Sequence, residues 1–119
     1  LNLVRNSYPG SQADDEVDLV DSSANTIQTK CFGALEAQAV LEAGSGGAAD
    51  QPAPDNFFAV YLNGILQDVE LTNNANDKGN DRLKNGLIDC LLDINSRKVH
   101  FLDADISDQD SVQIVYMVD

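Results

Sequence analysis

The chain predicts an all-β fold: a single-domain antiparallel β-sandwich, jelly-roll-like or immunoglobulin-like, over residues 1–119. Three observations predict it. Short runs of alternating apolar and polar residues recur with turn residues between them. Asn63-Gly64 stands between two apolar runs in Phe57–Leu71 (FFAVYLNGILQDVEL), and both residues tolerate the positive φ that a two-residue type I′ turn needs. The acid is carried by turn formers: of 20 acidic residues, sixteen are Asp. With 119 residues and 43% hydrophobic content, one domain with one modest core is expected.

In chain order, Leu1–Arg5 begins a short strand, broken at Asn6–Gly10, and residues 1–15 suit an extended N-terminal arm. Glu16–Val20 and Thr26–Phe32 alternate around a turn cluster at Asp21–Asn25. Gly33–Ala43 fits either helix or strand. Strand is preferred because Leu35, Ala37, Ala39 and Leu41 share a face at period two and a lone short helix is marginal. Gly44–Asn56 reads as a flexible loop rich in Gly, Pro and Ala.

The Asn63-Gly64 turn sets the hairpin register. Leu62 faces Ile65, Val60 faces Gln67 and Phe58 faces Val69 on a nearly apolar side, which belongs on the core. Tyr61 with Leu66, Ala59 with Asp68 and Phe57 with Glu70 form the other, mixed side. Tyr61, Phe57 and Leu66 there suit a second sheet of the same domain, or alternatively a subunit interface. Thr72–Asn85 is a polar loop insertion. Gly86–Ile94 alternates with Ile88, Cys90, Leu92 and Ile94 on one face. A turn at Asn95–Lys98 then sets Val99 opposite Ile94 and Phe101 opposite Leu92. Ser111–Val118 closes the chain with Val112, Ile114, Tyr116 and Val118 on the core face.

The net charge of −13 argues against nucleic acid, whose recognition needs clustered Lys or Arg, and against an anionic membrane surface. It favours cations or a basic partner surface. No apolar run is long enough to span a bilayer, and no signal peptide is expected. The start at Leu1 rather than Met fits the loss of an initiator or a longer leader. Cys31 and Cys90 read as buried free cysteines, small core hydrophobes, with one disulfide as the alternative.

No enzyme is expected. His100 is the only histidine, and by parity with Val99 and Phe101 it points to solvent or a neighbouring chain without an orienting partner. Phosphate-binding glycine loops, nucleophile elbows and paired-cysteine metal motifs do not occur. Asp103, Asp105, Asp108 and Asp110 put four carboxylates within eight residues. Calcium is the cofactor such oxygen ligands would take, although the spacing is not that of an EF-hand and a solvated turn is the simpler reading. Asp14, Asp15, Glu16 and Asp18 form a second acidic patch.

Residues 57–118 resemble a recurrent β-sandwich module of tailed-bacteriophage fibres and related virion appendages. The resemblance rests on Val60-Tyr61-Leu62-Asn63-Gly64-Ile65-Leu66-Gln67, on Lys98-Val99-His100-Phe101-Leu102, and on Ser111-Val112-Gln113-Ile114-Val115-Tyr116. Similar phrases occur in small surface proteins of spore-forming bacteria. The segment Thr72–Asn85 departs from the module's short connection, and Leu1–Asn56 matches no named pattern. The resemblance implies a virion structural role without chemistry, as a capsid decoration protein or small fibre or appendage subunit working as a homo-oligomer, for instance a trimer. The alternative is a subunit of an extracellular filament, pilus, or cell or spore surface layer, with Leu1–Arg5 inserted into a neighbour's sheet.

Overall fold

The computed structural model describes residues 2–36, 39, 57–72 and 78–118. They form nine strands, β1 (Asn2–Pro9), β2 (Asp14–Val20), β3 (Thr26–Phe32), β4 (Phe58–Leu62), β5 (Ile65–Leu66), β6 (Val69–Thr72), β7 (Cys90–Asp93), β8 (Lys98–Leu102) and β9 (Ser111–Val118), and one helix, α1 (Lys78–Lys84). The strands make two sheets: sheet A in the order β1-β9-β4-β5 and sheet B in the order β2-β3-β8-β7-β6. The all-β, single-domain expectation holds. The expectation of antiparallel pairing throughout does not, because β6 runs parallel to β7.

The hairpin explains that exception. Asn63 and Gly64 adopt φ of 52° and 81°, as a type I′ turn demands. Leu62 pairs with Ile65 and Tyr61 with Leu66 in the expected register, and Gln67 N still donates to Val60 O at 2.8 Å. Beyond Gln67 the register is lost: Phe58 lies opposite Tyr116, and Val69 lies opposite Cys90 in the other sheet. Asp68 is where the chain crosses. Its N–H donates to Asp89 Oδ2 at 2.7 Å, and its carbonyl accepts from the N–H groups of Asp89 and Cys90. From there β6 runs forward beside β7, with Val69 opposite Cys90 and Leu71 opposite Leu92.

Other expectations are corrected in the same way. Asn2–Pro9 is no arm: it pairs along its whole length with β9. The β7–β8 register is Leu92 with Val99 and Leu91 with His100, two residues from the expected one. The turn spans Ile94–Arg97, with Arg97 at φ 61° donating its N–H to Asp93 O and the Asp93 carboxylate accepting from Asn95 N. A slip of two keeps parity, so Val99 and Phe101 remain on the core. Ile88 packs on the opposite side of sheet B from Cys90 and Leu92. Of Gly33–Ala43, Leu35 is buried and Ala39 bridges Val118. Residues 37, 38 and 40–43, like Gly44–Asn56, lie outside the described residues.

The main core lies between the sheets. Val60, Val112, Ile114 and Tyr116 of sheet A meet Phe32, Leu71, Cys90, Leu92, Val99 and Phe101 of sheet B. Phe32 and Phe101 make an edge-on contact at 5.9 Å. The second core lies on the outer face of sheet B, where Leu83 of α1 packs on Leu19, Ile27 and Leu91. The polar insertion is therefore a lid in part, not a bare loop. A seven-residue helix is unstable alone, and α1 is held from several sides. Arg82 Nε meets both oxygens of Glu70, at 2.7 and 2.8 Å. Lys84 Nζ meets Asp21 Oδ2 at 2.6 Å, and Asn80 Nδ2 donates to Val20 O. The helix ends at Gly86 (φ 75°), with Gly86 N donating to Leu83 O and Leu87 N to Arg82 O, the Schellman arrangement.

Candidate functional site

The acidic loop is a structural corner. Asp103–Asp105 is a single 3-10 turn, and Asp105 and Asp108 are exposed. Asp110 is committed to backbone and side-chain donors: Ser107 N at 2.7 Å and Asn63 Nδ2 at 2.9 Å. The Asn63 bond, then the Ser107 backbone bond, holds its carboxyl below the usual carboxylate range. Asn63 also accepts from Ser111 N, and the Asp110 carbonyl accepts from Gly10 N at 2.7 Å. The loop thus ties the hairpin turn to the β1–β2 corner. Asp103 pairs at 3.8 Å with Lys30, which also donates to Ile106 O. Among the described residues no three or more His, Cys, Asp or Glu converge on a point that could hold a metal. The four calcium candidates are split between an ion pair, two exposed carboxylates and a capping group. Of the second patch, Asp14 receives Lys98 Nζ at 3.0 Å.

His100 is not at the surface. It is 3% exposed, on the outer face of sheet B opposite Leu91 and Cys31, with Nδ1 at 3.5 Å from Thr29 Oγ1. It does point away from Val99, as parity requires, but α1 turns that side into a second interior. Burial lowers its pKa, against the pull of Asp93, with Lys98 adding to the depression. Cys31 and Cys90 are buried on opposite faces of sheet B and form no disulfide with each other. Burial also pushes the Cys90 thiol well up. Lys84 and Asp103 flank an open groove of about 300 Å³ floored by Ile27 and Leu102 beside α1. The short bond from Lys84, then that from Asn25 N, holds the Asp21 carboxyl down to about 2.

The surface that stands apart is the outer face of sheet A. Alternation sends Val4 and Tyr8 inward and Leu3, Arg5 and Ser7 outward. In β9 and β4 the outward positions are Gln113, Val115, Met117, Ala59 and Tyr61. Leu66 joins them opposite Tyr61. Leu3 is 56% exposed, Leu66 62%, and Phe57, which precedes β4, 48%. Among the described residues no second sheet packs on Tyr61, Phe57 and Leu66, while Ala59 and Val115 between them are buried, at 6% and 3% exposure. In a chain of net charge −13, no residue of β1, β4, β5 or β9 is acidic, and Arg5 is their only charged side chain. Leu3 and Met117 were missed as members of this face. The signal was the absence of Asp and Glu from Leu1–Ala13 and Ser111–Val118 together.

Among the described residues no strand pairs with the outer edge of β1. Gly10 N bonds Asp110 O in line with the β1–β9 ladder, so even-numbered β1 residues bond β9. Leu3, Arg5 and Ser7 direct their backbone groups away from it, and Pro9, which has no N–H, occupies the same side. Among the described residues no helix is long and apolar enough to cross a membrane. Comparison with protein-family models, with curated proteins and with solved structures finds no match.

Proposed function

We propose that the chain is a non-enzymatic structural subunit of a virion, a capsid decoration protein or small fibre or appendage subunit of a tailed bacteriophage, working as a homo-oligomer. The observation that carries the reading is sheet A: its strands carry no carboxylate on an otherwise anionic chain, and Leu3, Phe57 and Leu66 stand exposed around a buried centre at Ala59 and Val115. The hairpin phrase Val60–Gln67 supports the virion context, since it folds into the strand–turn–strand at the edge of this sheet. Particles assembled without the chain should lose resistance to heat or low salt, or lose host attachment, and should regain it when the protein is added back. Particles unchanged in both properties would refute the role.

A second reading is favoured by the outer edge of β1, with which no described strand pairs. Backbone groups of Leu3, Arg5 and Ser7 offer a template for another strand. This suits a subunit of an extracellular filament, pilus or surface layer. Negative-stain imaging of the purified protein separates the two: spontaneous long filaments favour the second.

A further inference from the structure

We propose that Asn85 is a site of covalent self-modification: in the folded chain it loses its amide through a cyclic imide with the Gly86 backbone, and the isoaspartate that follows loosens α1 from sheet B. The proposal goes beyond the structural role above and stands independently of it.

The chain carries two Asn-Gly dipeptides, Asn63-Gly64 and Asn85-Gly86. Glycine after asparagine favours this chemistry because no Cβ obstructs ring closure. The Gly86 backbone nitrogen gives its proton to hydroxide and attacks Asn85 Cγ. A Cγ–N bond forms and the Cγ–Nδ2 bond breaks. Ammonia leaves, taking a proton from water and restoring the hydroxide. Water then opens the ring at one of its two carbonyls. Opening at Cγ gives aspartate. Opening at the backbone carbonyl gives isoaspartate, in which the main chain runs through the side-chain carbons. Water and hydroxide are the co-reactants, and nothing is oxidised or reduced.

The structure separates the two dipeptides. Asn63 is locked at its carboxamide: Nδ2 donates to Asp110 Oδ1 at 2.9 Å, and Oδ1 accepts from Ser111 N at 2.8 Å. Its Cγ cannot swing onto Gly64 N until both bonds break, one of them to a charged group. Asn85 is exposed at the end of α1, and no hydrogen bond to a described residue holds its carboxamide. A Cβ placed on Gly86 would meet nothing within 4 Å, so space for the ring is open. The restraint at this site is on the nucleophile. Gly86 N donates to Leu83 O at 3.2 Å, a longer bond than that from Leu87 N to Arg82 O at 2.9 Å. It belongs to the end of a short helix, where fraying begins.

The product strikes the helix at its stop. Isoaspartate lengthens the main chain between Asn85 and Gly86, which draws Gly86 N and Leu87 N away from the carbonyls that close α1. The new carboxylate also lies at the negative end of the helix dipole, four residues from Asp81, a like-charge pair. With seven residues and Leu83 as its buried apolar anchor, α1 has little to offset this.

The test is to age the full chain in mildly alkaline buffer, folded and in denaturant, and to follow both dipeptides by peptide mass spectrometry. In denaturant the two should convert at comparable rates. In the folded chain Asn85 should convert about tenfold or more faster than Asn63, the margin set by a charge-assisted bond. Converted chains, separated by their added negative charge, should lose hydrogen-exchange protection over Lys78–Lys84, while Asn85→Gln aged alongside should keep it. A folded chain that converts at Asn63 as fast as at Asn85 would overturn the proposal. So would a folded chain that keeps Asn85 intact while the denatured chain converts, or isoaspartate-containing chains with full protection of α1.

Discussion

Replacing Leu83 by Ala tests whether α1 is a lid with its own core. Leu83 is 1% exposed and touches Leu19, Ile27 and Leu91, with Ile88 and Leu102 beside them. The substitution removes three carbons, about 2.4 kcal/mol of transfer free energy at about 0.8 kcal/mol per methylene. A residual cavity adds to that, but a seven-residue helix can settle towards the sheet, so the addition is small. The expected loss is about 3 kcal/mol. A chain of this length unfolds with an entropy near 0.25 kcal/mol/K, so the melting temperature should fall by about 12 °C. Hydrogen exchange supplies a second readout. Amides of Lys78–Lys84 should lose protection before those of β8 and β9, because the helix is too short to persist without its anchor. A fall of less than ~2 °C with unchanged protection would mean that α1 does not cover sheet B, and that His100 is not in a second interior.

Three further outcomes are expected. Gly64→Val should destabilise severely: Gly64 sits at φ 81° and a Cβ there would meet only open space, so the cost is conformational, on the order of 1–3 kcal/mol, plus register slippage. An unchanged melting temperature would contradict it. His100 has its pKa lowered by burial, so the unfolded chain binds more protons than the native one below about pH 6.5. Stability should be fully present above that pH and decline as pH falls towards the native pKa, and an NMR titration placing the single histidine at or above about 6.5 would refute this. Sodium chloride should raise the melting temperature gradually by screening the Asp residues, whereas calcium at low millimolar concentration should add little at matched ionic strength. A saturable calcium effect abolished by Asp105→Asn with Asp108→Asn would make the Asp103–Asp110 loop a metal site.

The legible part of the fold was local. The Asn63-Gly64 turn, the β3 and β9 strands and the core faces of Val60, Val99, Phe101 and Ile114 follow from turn chemistry and period-two alternation. What failed was nonlocal. Nothing in Gln67-Asp68 announces that the chain leaves one sheet for the other, because the crossover is fixed by bonds to Asp89 and Cys90, far along the sequence. The helix was missed because its stretch carries one buried apolar residue, Leu83, too few for a 3.6-residue period. Its stop signal, Lys84-Asn85-Gly86, was present. That error carried over to His100: with α1 unseen, the outer face of sheet B looked solvent-facing. The face of sheet A was half legible, since Tyr61, Phe57 and Leu66 could be grouped by hairpin parity but Leu3 and Met117 join them only through β1–β9 pairing.

The central claim is the proposed role as a homo-oligomeric structural subunit. Salt tests it most directly. Sedimentation equilibrium across NaCl from ~0.02 to ~0.5 M spans screening lengths from about 20 Å down to about 4 Å. Copies of net charge −13 repel one another, so an association constant that rises steadily with salt is expected. A monomer at every concentration and every salt would contradict the homo-oligomeric role.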